Sequence, residues 1–110
     1  MAGRGDARRL AQLVGNLVSN GIAHGAADRP ITVTTGVRES SSIAVHNEGA
    51  PIPGEIQATM FKPMARGADA GGERSAGLGL FIVREIARAH GGRASVSSSQ
   101  SGNTFLVEWP

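Results

Sequence analysis

Twice along this chain a helical stripe of apolar residues gives way to a pair of alternating segments, and that order leaves few folds open. Leu10, Leu13, Val14, Leu17, Val18 and Ile22 recur at helical spacing, which predicts a helix from about Asp6 to His24. Asp6 suits the N-cap, and Gly25 is placed to end the helix in a left-handed conformation. Ile31–Val37 then puts Ile31, Val33, Thr35 and Val37 on one face of a strand. Ser42–Asn47 does the same with Ile43, Val45 and Asn47, and the linker Arg38–Ser41 suits a hairpin. Glu48–Pro53 reads as a turn, and a short helix is expected from Gly54 to Phe61. Lys62–Ala76 is rich in Gly and Ala without apolar periodicity and reads as a mobile loop. A second long helix is expected to start near Gly77–Gly79 and reach His90, with Ile82, Val83 and Ile86 inward and Gly91-Gly92 ending it. Arg93–Ser98 and Thr104–Trp109 are the last strands, joined by a turn at Ser101–Asn103. The order α-ββ-α-α-ββ predicts a two-layer α/β (α+β) sandwich, with helices on one face of a mixed, mostly antiparallel sheet.

The 110 residues suffice for one domain, read as 6–110 behind a disordered start at residues 1–5. A hydrophobic share of 40% supports a real core, and at this length that core is small. No run of about 20 apolar residues exists to span a membrane, and no direct membrane contact is expected. The absence of cysteine excludes disulfides and thiolate metal sites. The net charge of +2 comes from a small excess of arginine spread along the chain, so nucleic acid is not an expected partner.

Several groups of residues are candidates for chemistry. Asn16 and Asn20 lie one turn apart, roughly 40° apart on one helix face. Two amides so placed are either oxygen donors for a hard cation or a solvated helix flank. Asn47 shares the alternating face of Ile43 and Val45, where a polar group needs partners. Its planar amide suits a base edge or a cap on the following turn. Ser75-Ala76-Gly77-Leu78-Gly79-Leu80 would open a helix with exposed backbone N–H groups, an anion site, or else serve close packing. It lacks the Gly-Lys-Ser/Thr of a P-loop. The stretch 62–76 has the composition of a lid, with Arg66 and Arg74 within reach of phosphates. His24, His46 and His90 are too far apart for metal spacing, and no Ser/His/Asp arrangement is present.

The order of these signals is more specific than any one of them. Asn16 with Leu17-Val18-Ser19-Asn20-Gly21-Ile22-Ala23-His24 resembles the N box of sensor histidine kinases. Val45–Pro53 resembles their first glycine box, Phe61-Lys62-Pro63-Met64 their F box, and Gly77-Leu78-Gly79-Leu80 with Phe81-Ile82-Val83 their second glycine box. The tail from Gly102-Asn103-Thr104-Phe105 to Trp109-Pro110 is similar to the closing strand of the same domain. The resemblance covers about Asp6 to Pro110 and is to the ATP-binding catalytic domain of these kinases, in the GHKL ATPase superfamily with its Bergerat-type sandwich. The run Asn47-Glu48-Gly49-Ala50-Pro51-Ile52-Pro53 is in the style of bacteriophytochrome-like kinases.

The resemblance implies an ATP-binding set of Asn16, Asn20, His24, Asn47, Gly49, Ile52, Phe61, Arg66, Gly77, Leu78, Gly79, Leu80 and Thr104. Within it Asn16 and Asn20 are the catalytic pair, and Asn20 matches the asparagine that holds Mg²⁺ between the phosphates. Asn16 stands where hydrolytic relatives carry a glutamate base, which favours phosphotransfer over hydrolysis. Asn47 stands where the family reads adenine with an aspartate, and its carbonyl oxygen still accepts from the adenine 6-amino group. Gly49 and Ile52 would line the adenine pocket, and Thr104 would support it from the last strand. Ala23 replaces a phosphate-binding lysine, Pro51 and Ser75 replace box glycines, and Met64 replaces an aromatic residue. The family's usual start, one or two strands before Asp6 and a four-helix dimerisation domain before those, has no counterpart here.

The expected function is therefore Mg-ATP binding and donation of the γ-phosphoryl group to a histidine on the dimerisation domain of the same parent kinase. A response regulator would act downstream, and the domain would be cytoplasmic even in a membrane-anchored parent. Two alternatives stay open: a degenerate nucleotide-binding or docking module without kinase activity, and a serine-directed anti-sigma-type kinase.

Overall fold

The structure is a computed structural model describing residues 7–26, 28–37, 39–63 and 73–110, and side chains in the last segment from residue 78 onward. The expected disordered start, the Asp6 cap and most of the expected lid, with Met64 and Arg66, fall outside these residues. Helix α1 spans Ala7–His24, strand β1 Ile31–Val37 and strand β2 Ser41–Asn47. Helix α2 spans Gly54–Thr59, helix α3 Glu73–Ala89, strand β3 Arg93–Ser99 and strand β4 Gly102–Trp109.

The four strands form one sheet in the order β1-β2-β4-β3. Every pairing is antiparallel, so the expected mixed character is not observed among the described residues. The two hairpins force antiparallel neighbours, and the third pairing, between β2 and β4, is antiparallel as well. The hairpins join through β2 and β4, where Val45 stands opposite Phe105 and Asn47 opposite Asn103. In the β3–β4 hairpin Ser99 faces Gly102, leaving a two-residue connection at Gln100 and Ser101. The turn is thus tighter than the Ser101–Asn103 segment expected from sequence, and β4 starts two residues earlier. Gly102 makes this possible with φ of +130°, and a Cβ there would stand 2.6 Å from His46 Nε2.

Helices α1 and α3 pack side by side on one face of the sheet. Leu13 and Leu17 of α1 meet Leu80, Val83 and Ile86 of α3 over Ile43, Val45, Phe105 and Val107, all buried. Each large side chain so buried contributes roughly 1.5–3 kcal/mol. Trp109 closes the core at the far end of β4, its ring edge-on to His90 at 6.3 Å. Helix α3 ends as expected at Gly91, whose φ is +79°. Gly92 N–H donates to Ala87 O at 2.8 Å and Gly91 N–H to Arg88 O at 2.9 Å, the double bond of a Schellman cap.

Three expectations are corrected by the packing. Ile22 lies on the outer side of α1 and is 69% exposed, because the buried stripe turns through Leu13, Leu17, Asn20 and Gly21. Val33 and Val37 share the helix-side face of the sheet but are exposed, since β1 is an edge strand and the helices reach little of it beyond Ile31. Gly25 does not adopt the left-handed conformation; its N–H continues the helical pattern to Gly21 O at 2.8 Å. What requires glycine there is close approach, because a Cβ would stand 2.6 Å from Gly21 O and 3.0 Å from Asn47 Nδ2.

Candidate nucleotide site

At the end of the sheet where α1 finishes, a cleft of about 130 Å³ opens between α1, the turn after β2, α2 and β4. Asn20 and His24 of α1 line it, with Asn47 of β2, Ala50 and Ile52 of the turn, Ile56, Met60, and Asn103 and Phe105 of β4. Each position follows from local periodicity. Asn20 and His24 are one helical turn apart, and Asn47, Asn103 and Phe105 continue the inward alternation of their strands. Apolar walls of Ile52, Ile56, Met60 and Phe105 thus face a rim of three amides and an imidazole, a pattern typical of small-molecule sites.

The three amides differ in their hydrogen bonding. Asn20 is 6% exposed, and its Oδ1 is buried without a partner among the described residues. A buried orphan acceptor of this kind costs free energy unless a ligand supplies a donor or a cation. Asn103 is held at both ends: Oδ1 accepts from Ser98 Oγ at 2.5 Å, and Nδ2 donates to Ala50 O at 3.1 Å. Asn47 is 3% exposed and makes no side-chain hydrogen bond among the described residues. The cleft wall is itself tied down, since Ile52 N–H donates to Ser98 Oγ at 2.7 Å and Gln57 Nε2 donates to Ile52 O at 2.7 Å. Pro51 and Pro53 have no N–H to satisfy, so these bonds fix a turn that cannot join a ladder.

Other residues singled out in the sequence lie around this cleft. Asn16 is one turn before Asn20 and donates Nδ2 to Gly79 O at 3.3 Å, linking α1 to α3. Gly77 and Gly79 fall inside α3, four and six residues after its start, not at its opening. The correction has a simple cause: Glu, Arg and Ala at 73, 74 and 76 are good helix formers, and they carry the helix past the glycines toward its N-terminus. Leu80 is core, Leu78 is 41% exposed, and Phe61 packs edge-on against Phe105 at 6.4 Å behind the cleft. Gly49 touches the end of α1, where a Cβ would be 3.4 Å from Gly25 Cα and from His24 O. The same junction is clipped by Ala26 N–H donating to Glu48 O at 2.7 Å.

Thr104 takes the opposite face of the sheet. It pairs with His46 in the register and lies 2.8 Å from His46 Nδ1, away from the cleft. Asn103, one residue earlier, occupies the inward position. Sequence reasoning missed Asn103 and Ser98, although each continues an inward series, Phe105-Val107-Trp109 for one and Ala94-Val96 for the other. Among the described residues no three His, Asp or Glu side chains gather to hold a metal.

Comparison with known proteins gives this geometry a family. Residues 5–110 match the family described as histidine kinase-, DNA gyrase B-, and HSP90-like ATPase, and the chain belongs to it. It is 35% identical over 109 residues to the probable sensor histidine kinase TcrY of Mycobacterium tuberculosis, covering 96% of this chain and 23% of that protein. It is 36% identical over 108 residues to the bacteriophytochrome of Pseudomonas aeruginosa, covering 96% of this chain and 15% of that one. The catalytic domain of histidine kinase ThkA superposes with a TM-score of 0.80 at 31% identity, over 96% of this chain and 67% of the other. Full-length ShkA, solved in complex with AMPPNP, superposes with a TM-score of 0.78 at 25% identity, over 93% of this chain and 21% of that one. The α+β fold is that of histidine kinase catalytic domains, and the chain spans less than a third of the curated sensor kinases it matches. No described helix is long and apolar enough to cross a membrane.

Proposed function

We propose that this chain binds Mg-ATP in the cleft between α1, the turn after β2 and β4, and acts as the catalytic domain of a sensor histidine kinase. The carrying observation is that Asn20 and Asn47 line one cleft, with Asn20 Oδ1 buried and unpartnered beside an apolar slot. The slot of Ile52, Ile56, Met60 and Phe105 suits a planar base, and Asn47 at its inner end suits the base edge. Asn20 Oδ1 fits an ion that takes few protein ligands and otherwise keeps water and phosphate oxygens. When bound, Mg²⁺ supplies charge neutralisation on the triphosphate. Asn16 and the Gly77–Gly79 stretch would lie on the phosphate side, one helical turn from Asn20.

The chemistry of these residues is positioning. An amide at Asn16 cannot take a proton from water, which favours transfer of the γ-phosphoryl group to a nucleophile brought by another domain. That nucleophile would be a histidine on a dimerisation domain of the same parent, with a response regulator as the final acceptor. Calorimetry with a nonhydrolysable ATP analogue, with and without Mg²⁺, tests the binding half. Asn20→Ala is expected to remove the Mg²⁺-dependent part, and unchanged binding in that variant would discard the assignment. The transfer half is tested by incubating the isolated chain with ATP. Negligible phosphorylation is expected, and stoichiometric acid-labile phosphate on His24, His46 or His90 would overturn it.

A further inference from the structure

We infer that the base end of the cleft does not discriminate adenine from guanine, because residue 47 presents a neutral amide that no described residue holds in one orientation. The inference rests on the nucleotide reading above, with the 6-substituent of the purine directed at Asn47. Adenine offers a donor at that position, and guanine offers an acceptor. A carboxylate accepts only and would repel the 6-oxo group, whereas an asparagine amide carries an acceptor on one side and donors on the other.

Three observations make this specific to Asn47. First, its side chain is nearly buried in the cleft but makes no hydrogen bond among the described residues, so a half-turn about its last torsion breaks no bond. Second, the neighbouring amide behaves in the opposite way. Asn103, its register partner on β4, is locked by Ser98 Oγ and Ala50 O and cannot turn without losing both. Third, no described residue lining the cleft carries a carboxylate, so no fixed negative charge penalises an oxo group there. A Cβ on Gly25 would stand 3.0 Å from Asn47 Nδ2, so the missing side chain leaves room beside the amide. Adenine is then read with Oδ1 toward the base, and guanine or hypoxanthine with Nδ2 toward it.

The test is competitive calorimetry on the 110-residue chain with Mg²⁺ and the imido analogues of ATP and GTP. Affinities within about tenfold of each other are expected. Binding of the ATP analogue with the GTP analogue weaker by about a hundredfold overturns the inference and leaves the nucleotide reading standing. Binding of neither removes both. A hypoxanthine nucleotide, which has the 6-oxo group without the 2-amino group, is expected to bind as well as the guanine form. Loss of that ligand by about a hundredfold relative to adenine also overturns the inference. In Asn47→Asp the preference for adenine over guanine is expected to rise at least about tenfold. An unchanged ratio in the folded variant would show that residue 47 does not set base selectivity.

Discussion

Ser98 Oγ donates to Asn103 Oδ1 at 2.5 Å while accepting from the Ile52 N–H at 2.7 Å, so one hydroxyl joins two strands to the wall of the cleft. Ser98→Ala leaves a backbone donor and an amide oxygen without their partner. A loss of about 1–3 kcal/mol in unfolding free energy is expected by urea titration. Faster hydrogen exchange at the Ile52 amide and weaker nucleotide binding are expected with it. Protection of that amide equal to wild type would show that the wall is held by other contacts.

Asn20→Ala separates binding from stability. The Oδ1 it removes has no partner among the described residues, so no hydrogen bond to them is lost there. A change in stability within about 1 kcal/mol is expected, together with loss of Mg²⁺-dependent nucleotide affinity. Thermal melts with and without Mg-nucleotide read both at once, because a ligand that binds only the folded state raises the midpoint.

Gly79→Ala is expected to stabilise the unliganded chain. A Cβ there would meet Asn16 Cβ and Cγ at 3.9 Å, an ordinary contact, and α3 would lose one of its poorest helix formers. The gain is up to about 1 kcal/mol, or a few degrees in Tm for a domain of this size. If the glycines serve close approach of phosphate to backbone, the same variant binds nucleotide more weakly despite being more stable. A rise in both stability and affinity would place the phosphates elsewhere.

Gly92→Ala tests the junction of α3 and β4. Its Cβ would fall 1.8 Å from Glu108 O and 2.7 Å from Trp109 Cβ, so backbone must move. A loss of about 3 kcal/mol is expected by denaturant titration. Wild-type stability would mean that the chain after α3 relaxes freely.

The sequence carried the layered architecture where helices cover one face of the sheet and lost it at the edge strand. Ile43 and Val45 alternate because α1 covers that face of β2, and both are buried as the pattern implies. Val33 and Val37 alternate equally well, yet no described helix covers the outer part of β1, and periodicity cannot report what is absent. Helix α3 starts before Gly77 and Gly79 because the residues preceding them have the propensity to extend a helix, so glycine does not mark its opening. Asn103 borders the turn, and the turn-forming composition around it masks its place in the strand. Carrying the alternation of Phe105, Val107 and Trp109 back by one step puts it in the cleft and sends Thr104 to the other face.

The position of Trp109 governs how this protein can be watched. It is the sole indole in the chain, largely enclosed at 7% exposure, with its ring nitrogen buried and unpaired among the described residues. Six steps of extended strand, about 20 Å, separate it from Asn103. Its emission is expected to be blue-shifted in the native state and to move red in one step with global unfolding. The same fluorophore is expected to stay silent during a nucleotide titration, so a spectroscopic signal for binding has to be carried by the ligand.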